Sequence, residues 1–268
     1  GMAPGAKWIA ARGLGEAGGT DGMLLRSLQF MAAPRVPTPG QSPGSRRDLS
    51  LGADIVNNSW GSNDGLSSSY ANALRNMAAM GIVNVFAAGN DGQGGKNGSV
   101  GSPASSPFII SVGATDRKDK VAEFSSRGPN PLPTPDGEPV PFVSAPGVDI
   151  FSSIPGGKFE SGWDGTSMAT PAITGTIALI QEAALKNTGH MFDINGIKDV
   201  FRKTAQDIGA KGVDDATGYG IPSIPDDLAA VVKQVAADRG LMDKPAATSH
   251  KPAPHKPAHA RTGQLAGE

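Results

Sequence analysis

The sequence predicts an α/β fold, a three-layer sandwich around a mostly parallel sheet, and three observations carry that reading. Short apolar runs alternate with segments of helical period over most of the chain, the pattern of a parallel sheet with helices on both faces. At 268 residues, the chain is long enough to bury a sizeable core. It contains no run of 18 or more apolar residues, so no membrane span is expected.

The elements follow in order. Lys7 to Ala11, after Pro4-Gly5, reads as a short buried strand. A glycine-rich turn from Gly13 to Gly22 leads into a helix with Met23, Leu24, Leu28 and Met31 at its apolar positions. Pro34 to Arg47 holds four prolines, two glycines and no apolar period, so it reads as a surface loop. Asp54 to Ser59 reads as a strand, Tyr70 to Met80 as a helix, and Ile82 to Ala87 and Phe108 to Val112 as further strands. The longest helical signal runs from about Ser167 to Lys186, with Ile173, Ile177, Leu179, Ile180 and Leu185 facing the core. Helices follow at Ile194 to Thr204 and Pro225 to Ala237. From Lys244 onward Lys, Pro, Ala and His dominate, the composition of a disordered tail or linker.

Composition narrows the function. Lys+Arg 24 against Asp+Glu 25 gives a formal charge of −1, which argues against a nucleic-acid binder or a polybasic membrane protein. The absence of Cys excludes a disulfide scaffold, a thiolate nucleophile and Cys-ligated zinc. Gly 37 and Pro 22 together exceed a fifth of the chain, against roughly 12% in average usage.

Three segments carry candidate chemistry. Asp164-Gly165-Thr166-Ser167-Met168-Ala169-Thr170-Pro171 sets a serine at the start of the long helix. Unpaired N–H groups and a partial positive charge there favour the oxyanion formed when a serine attacks an acyl carbon. Taken alone, Thr166 or Ser167 reads as a helix cap. Phe86-Ala87-Ala88-Gly89-Asn90-Asp91-Gly92 lies at the carboxyl end of a strand, where ligands sit in open α/β sheets; taken alone it reads as a turn. Asn57-Asn58-Ser59-Trp60-Gly61-Ser62 ends another strand, and an exposed edge of this kind pairs with extended peptides.

Together these segments resemble the subtilisin family of serine proteases, over roughly residues 1 to 235. The matching motifs are G-T-S-M-A-T-P, A-A-G-N and N-N-S-W-G, joined by Ser111 to Asp116, Phe124 to Pro129, Ala145 to Ile150 and Gly218 to Ile221. Gly1 to Ala10 and Gly162 to Ser167 look most like the bacillopeptidase F branch. The resemblance implies that Ser167 is the nucleophile, and that Asn90 donates to the oxyanion beside the Ser167 N–H. It implies that Ser59, Trp60 and Gly61 line the peptide-binding edge and primary pocket, opposite Ala87, Ala88 and Gly89. Asp91 falls near the pocket floor, where it either favours basic or polar side chains or is a solvated turn residue. The implied partner is an extended polypeptide and the implied location extracellular and bacterial. No cofactor is implied for catalysis, no metal ligand is assigned, and structural calcium and oligomeric state are left open.

The family's base and its orienting acid have no match here. Neither an Asp-Thr/Ser-Gly nor a His-Gly-Thr motif is present, and the histidines are His190, His250, His255 and His259. An 18-residue helix places His190 roughly 27 Å from Ser167. His250, His255 and His259 lie in the proline-rich tail and read as solvated linker residues. The expectation is therefore a chain beginning past the histidine motif: residues 1–240 as the C-terminal two-thirds of a subtilisin-like peptidase domain, incomplete at the N-terminus and inactive alone, and 241–268 as tail. The alternative is a catalytically dead peptide-binding pseudoprotease.

Overall fold

In the computed structural model, residues 1–16, 18–36, 46–62, 68–132, 134 and 137–242 are described. The Thr20 side chain accepts from the Met23 amide and starts helix α1 (Asp21–Ala32), satisfying one of the amides a helix start leaves unpaired. Two-residue strands β1 (Arg35–Val36) and β2 (Arg46–Arg47) then pair antiparallel at the two ends of the proline-rich segment. The interior of the expected loop, residues 37–45, lies outside the described residues, as does the tail from 243.

Strand β3 (Ile55–Asn58) is followed by helix α2 (Ala71–Ala79), strand β4 (Val83–Ala87), strand β5 (Ile110–Thr115) and strand β6 (Val143–Pro146). These four strands form one sheet in the order β3-β4-β5-β6, and each neighbouring pair is parallel. Strands β7 (Ile150–Ile154) and β8 (Lys158–Trp163) make an antiparallel hairpin. It delivers the chain to the long helix α3 (Thr166–Thr188). Helix α4 (Ile194–Thr204) is capped by the Asp193 side chain, which accepts from the Gly196 amide. The two-residue strands β9 (Ala205–Gln206) and β10 (Ile221–Pro222) pair antiparallel, and α5 (Leu228–Asp238) ends the described chain.

The three layers follow from alternation along the strands, because successive side chains point to opposite sheet faces. Val83 and Val85 of β4 join a core with Ile173, Ile177 and Ile180 of α3, Ile197 and Phe201 of α4, and Val232 of α5. Phe86, one residue out of phase, joins a second core with Leu24 and Leu28 of α1 and Leu74 and Met77 of α2. The expected three-layer α/β sandwich is the observed fold.

Several details differ from the sequence reading. Lys7–Ala11 is irregular, and Trp8 is 83% exposed. An apolar run becomes a strand only where a neighbour supplies the other half of its hydrogen bonds, and no described strand lies beside it. The β7–β8 hairpin and strand β6 were not anticipated. The hairpin is exposed along most of its length and carries a polar/apolar mixture with no clean alternation. The helix expected from Pro225 starts three residues later, at Leu228.

Candidate active site

Ser167 is the second residue of α3, and the residue preceding that helix is Gly165, with φ +150°. No side-chain hydroxyl caps this helix, so the hydroxyls of Thr166 and Ser167 are committed elsewhere. Thr166 is fully buried. Its hydroxyl donates to Asn90 Oδ1 at 2.9 Å, its amide donates to the same oxygen at 3.0 Å, and its oxygen accepts from the Gly89 amide at 3.3 Å. Two donors on Oδ1 fix which way the Asn90 amide faces, leaving Nδ2 as the group presented beside the start of α3. A Cβ on Gly165 would lie 3.6 Å from that Nδ2. Sequence reasoning read Thr166 only as a cap; its place between Gly165 and Ser167 was the available signal.

Asn90 is exposed and follows Gly89, whose φ of +112° is a conformation L side chains rarely adopt. A Cβ on Gly89 would also meet Ser126 Oγ at 2.8 Å. The Ser126 hydroxyl in turn accepts from the Asp91 amide at 3.1 Å. Asp91 is half-buried, and Ala87 and Ala88 are buried at the end of β4.

The strand end at Ser59–Gly61 comes up against α3. The Ser59 hydroxyl donates to the Ser167 carbonyl at 2.9 Å, and the Ser167 hydroxyl lies 3.4 Å from the Ser59 carbonyl. The Trp60 indole stands edge-on to Phe86 with centroids 5.1 Å apart, and 5.2 Å from Tyr70. Its Nε1–H donates to Asn58 Oδ1 at 3.2 Å, while Gly61 is exposed. The structure therefore brings Ser59, Gly89, Asn90 and Ser167 together around the N-terminus of α3.

His190 is not among them. It is buried just past Gly189, the C-cap of the 23-residue α3, about 34 Å along that helix from its start. His250, His255 and His259 lie outside the described residues. Among the described residues no group of three or more His, Cys, Asp or Glu side chains is placed to hold a metal ion. None of the helices there is long and apolar enough to cross a membrane.

Ser167 thus stands at a helix N-terminus with a fixed side-chain amide beside it and a strand end alongside. The chain belongs to the subtilase family, whose model matches residues 1–220. It is 37% identical over 224 residues to bacillopeptidase F of Bacillus subtilis (strain 168), covering 82% of this chain and 15% of that protein. It is 39% identical over 132 residues to subtilisin amylosacchariticus of Bacillus subtilis subsp. amylosacchariticus, covering 49% of this chain and 32% of the relative. To the minor extracellular protease Epr of Bacillus subtilis (strain 168) it is 29% identical over 222 residues, 82% of this chain and 29% of the relative. The chain thus spans about a third or less of the length of these relatives.

Proposed function

We propose that this chain carries the nucleophile and the oxyanion donors of a secreted serine endopeptidase, with the catalytic base and its orienting acid supplied by polypeptide outside residues 1–268. Membership of the subtilase family supports the peptidase class. The observation that carries the assignment of roles is the double hydrogen bond from Thr166 to Asn90 Oδ1, which leaves Nδ2 as a donor beside Ser167.

In this reading an extended polypeptide lies along Ser59, Trp60 and Gly61, opposite Ala87, Ala88 and Gly89. Ser167 Oγ attacks the scissile carbonyl carbon as its proton passes to an imidazole. The carbonyl π pair moves to oxygen, and that oxyanion is held by Asn90 Nδ2–H and the Ser167 amide. Collapse expels the amine, protonated by the imidazolium, and leaves an acyl-enzyme that water hydrolyses. Asp91, beside Gly89, favours basic or polar side chains in the primary pocket. The serine chemistry calls for no cofactor. Residues 1–240 are the peptidase portion and 241–268 a tail.

The location of His190 at the far end of α3 supports an external base. The test compares fluorogenic-peptide hydrolysis by the 268-residue chain with that by the parent polypeptide carrying Asp-Ser/Thr-Gly and His-Gly-Thr segments. We expect turnover from the parent only. Ser167→Ala should abolish it, and Asn90→Ala should lower kcat by about 10²–10³. Turnover by the chain alone that Ser167→Ala removes would overturn the external base. Parent activity surviving Ser167→Ala would overturn the nucleophile.

A further inference from the structure

In an α-helix each carbonyl accepts from the amide four residues on. For Ser167 that donor is residue 171, which is Pro171, a proline inside α3 with no N–H. The carbonyl of the candidate nucleophile is therefore cut out of the helical ladder on its own helix. It is half-buried beside the strand end, where a carbonyl without a donor is costly. The structure fills the gap from another element: the Ser59 hydroxyl donates to this carbonyl at 2.9 Å, across 108 residues of sequence.

The direction of that bond is fixed from behind. Asn57 Nδ2 donates to Ser59 Oγ at 3.1 Å, while Thr174, about two turns further along α3, donates its hydroxyl to the Thr170 carbonyl at 3.0 Å with Asn57 Oδ1 3.3 Å away. An amide nitrogen can only donate, so the hydroxyl proton of Ser59 is left for the Ser167 carbonyl. The path from Asn57 through Ser59 thus delivers a donor to the carbonyl that Pro171 leaves open.

From this geometry we infer that Ser59 is a positioning residue for Ser167: its side-chain hydroxyl replaces the missing amide of residue 171 and sets the orientation of the peptide that bears the nucleophile. This role is separate from the peptide-edge role given to the Ser59 segment above. It deepens the proposed function and rests on it only for the consequence at Ser167 Oγ.

The test is a double-mutant cycle on the 268-residue chain, with Ser59→Ala and Pro171→Ala singly and together, read by urea unfolding. Alanine at 171 restores an amide that can serve the Ser167 carbonyl. Ser59→Ala should raise the unfolding constant by about 5- to 10-fold in the Pro171 background and by less than about twofold with Pro171→Ala. Ser59→Thr keeps the hydroxyl and should recover most of the loss. A second readout follows nucleophile placement in the parent polypeptide that supplies the imidazole, as the rate at which a fluorophosphonate phosphonylates Ser167, with fluoride leaving and the hydroxyl proton passing to that imidazole. That rate should fall with Ser59→Ala and return in the double variant.

Equal effects of Ser59→Ala in both backgrounds would overturn the inference, even if Ser167 is labelled normally. The stability coupling without labelling of Ser167 in any variant of the parent polypeptide would uphold the positioning bond and count against Ser167 as nucleophile. If Ser59→Ala does not fold with Pro171 but folds with Pro171→Ala, that rescue is itself the expected coupling. Failure to fold in both backgrounds counts against it.

Discussion

Gly92 shows how tightly the chain is drawn around Asn90. A Cβ built at this position would lie 1.9 Å from the Ser125 carbonyl oxygen, while the Gly92 amide donates to the Phe124 carbonyl at 2.9 Å. Backbone meets backbone there, so no side-chain rotation relieves an added methyl. Gly92→Ala should destabilise the chain by about 1–3 kcal/mol, read as a lower urea midpoint, and a wild-type midpoint would contradict this close approach. Tyr70 and Asp21 give a second residue-scale prediction. The Tyr70 hydroxyl donates to Asp21 Oδ1 at 2.7 Å. This bond holds the Asp21 carboxyl below its ordinary range, while burial, and then the bond to Asp21, push the Tyr70 phenol up. A carboxyl whose folded pKa is depressed adds stability above its unfolded pKa and loses it as pH falls through the folded value. The stability gap between wild type and Asp21→Asn should therefore be open at neutral pH and close as pH falls below the ordinary carboxylate range. Thermal midpoints measured from pH 2 to 8 check this, and a gap independent of pH would refute it. At the other extreme, the raised phenol keeps the bond intact up to pH 10 and loses it as pH climbs through the folded value.

Elements α4 and α5 are joined to the segment before β6 by a chain of charges. Glu138 pairs with Lys198 at 2.5 Å and with Arg202, both on α4, and the Lys198 side chain is only 3% exposed. Asp199 pairs with Arg202 at 2.7 Å and with Arg239, just past α5, at 3.0 Å. Both α4 cations also face the Phe142 ring, at 5.2 and 5.5 Å. Removing one charge from a buried set leaves its partners desolvated without compensation. Glu138→Gln should cost about 3–5 kcal/mol of unfolding free energy. Being buried, the loss should change little between low and high salt; a loss that disappears in high salt would mean a solvated surface pair. None of this was legible in the sequence, since Glu138 and Lys198 stand 60 residues apart in segments with no shared pattern. Helix α4 itself was legible from end to end, because Asp193 caps it and apolar residues recur at helical spacing on its buried face.

Across the whole molecule, the sequence showed its fold where periodicity and short crossovers agree, as in β3, β4 and α3. It misled where an element's state depends on what lies beside it. Lys7–Ala11 has the composition of a strand and none of the described strands next to it, whereas the β7–β8 hairpin has an unremarkable composition and a register held by its own pairing. The site shows the same division. Ser167, Asn90 and the Ser59 strand end were readable as motifs. The bonds that orient them, from Thr166 to Asn90 and from Ser59 to the Ser167 carbonyl, were not, because one-dimensional spacing carries no record of which hydroxyl faces which acceptor.

Those two bonds span 76 and 108 residues of sequence, and this separation bears on how the protein folds. Contacts between distant parts of a chain close late, after the loop entropy between them has been overcome, and parallel sheets are slow for that reason. During synthesis, Ser59 and Asn90 leave the ribosome first and wait for the helix that completes them. A chain in which these distant contacts have not yet closed therefore holds Ser167 without its Ser59 and Asn90 neighbours, and the arrangement around Ser167 becomes a late reporter of complete folding.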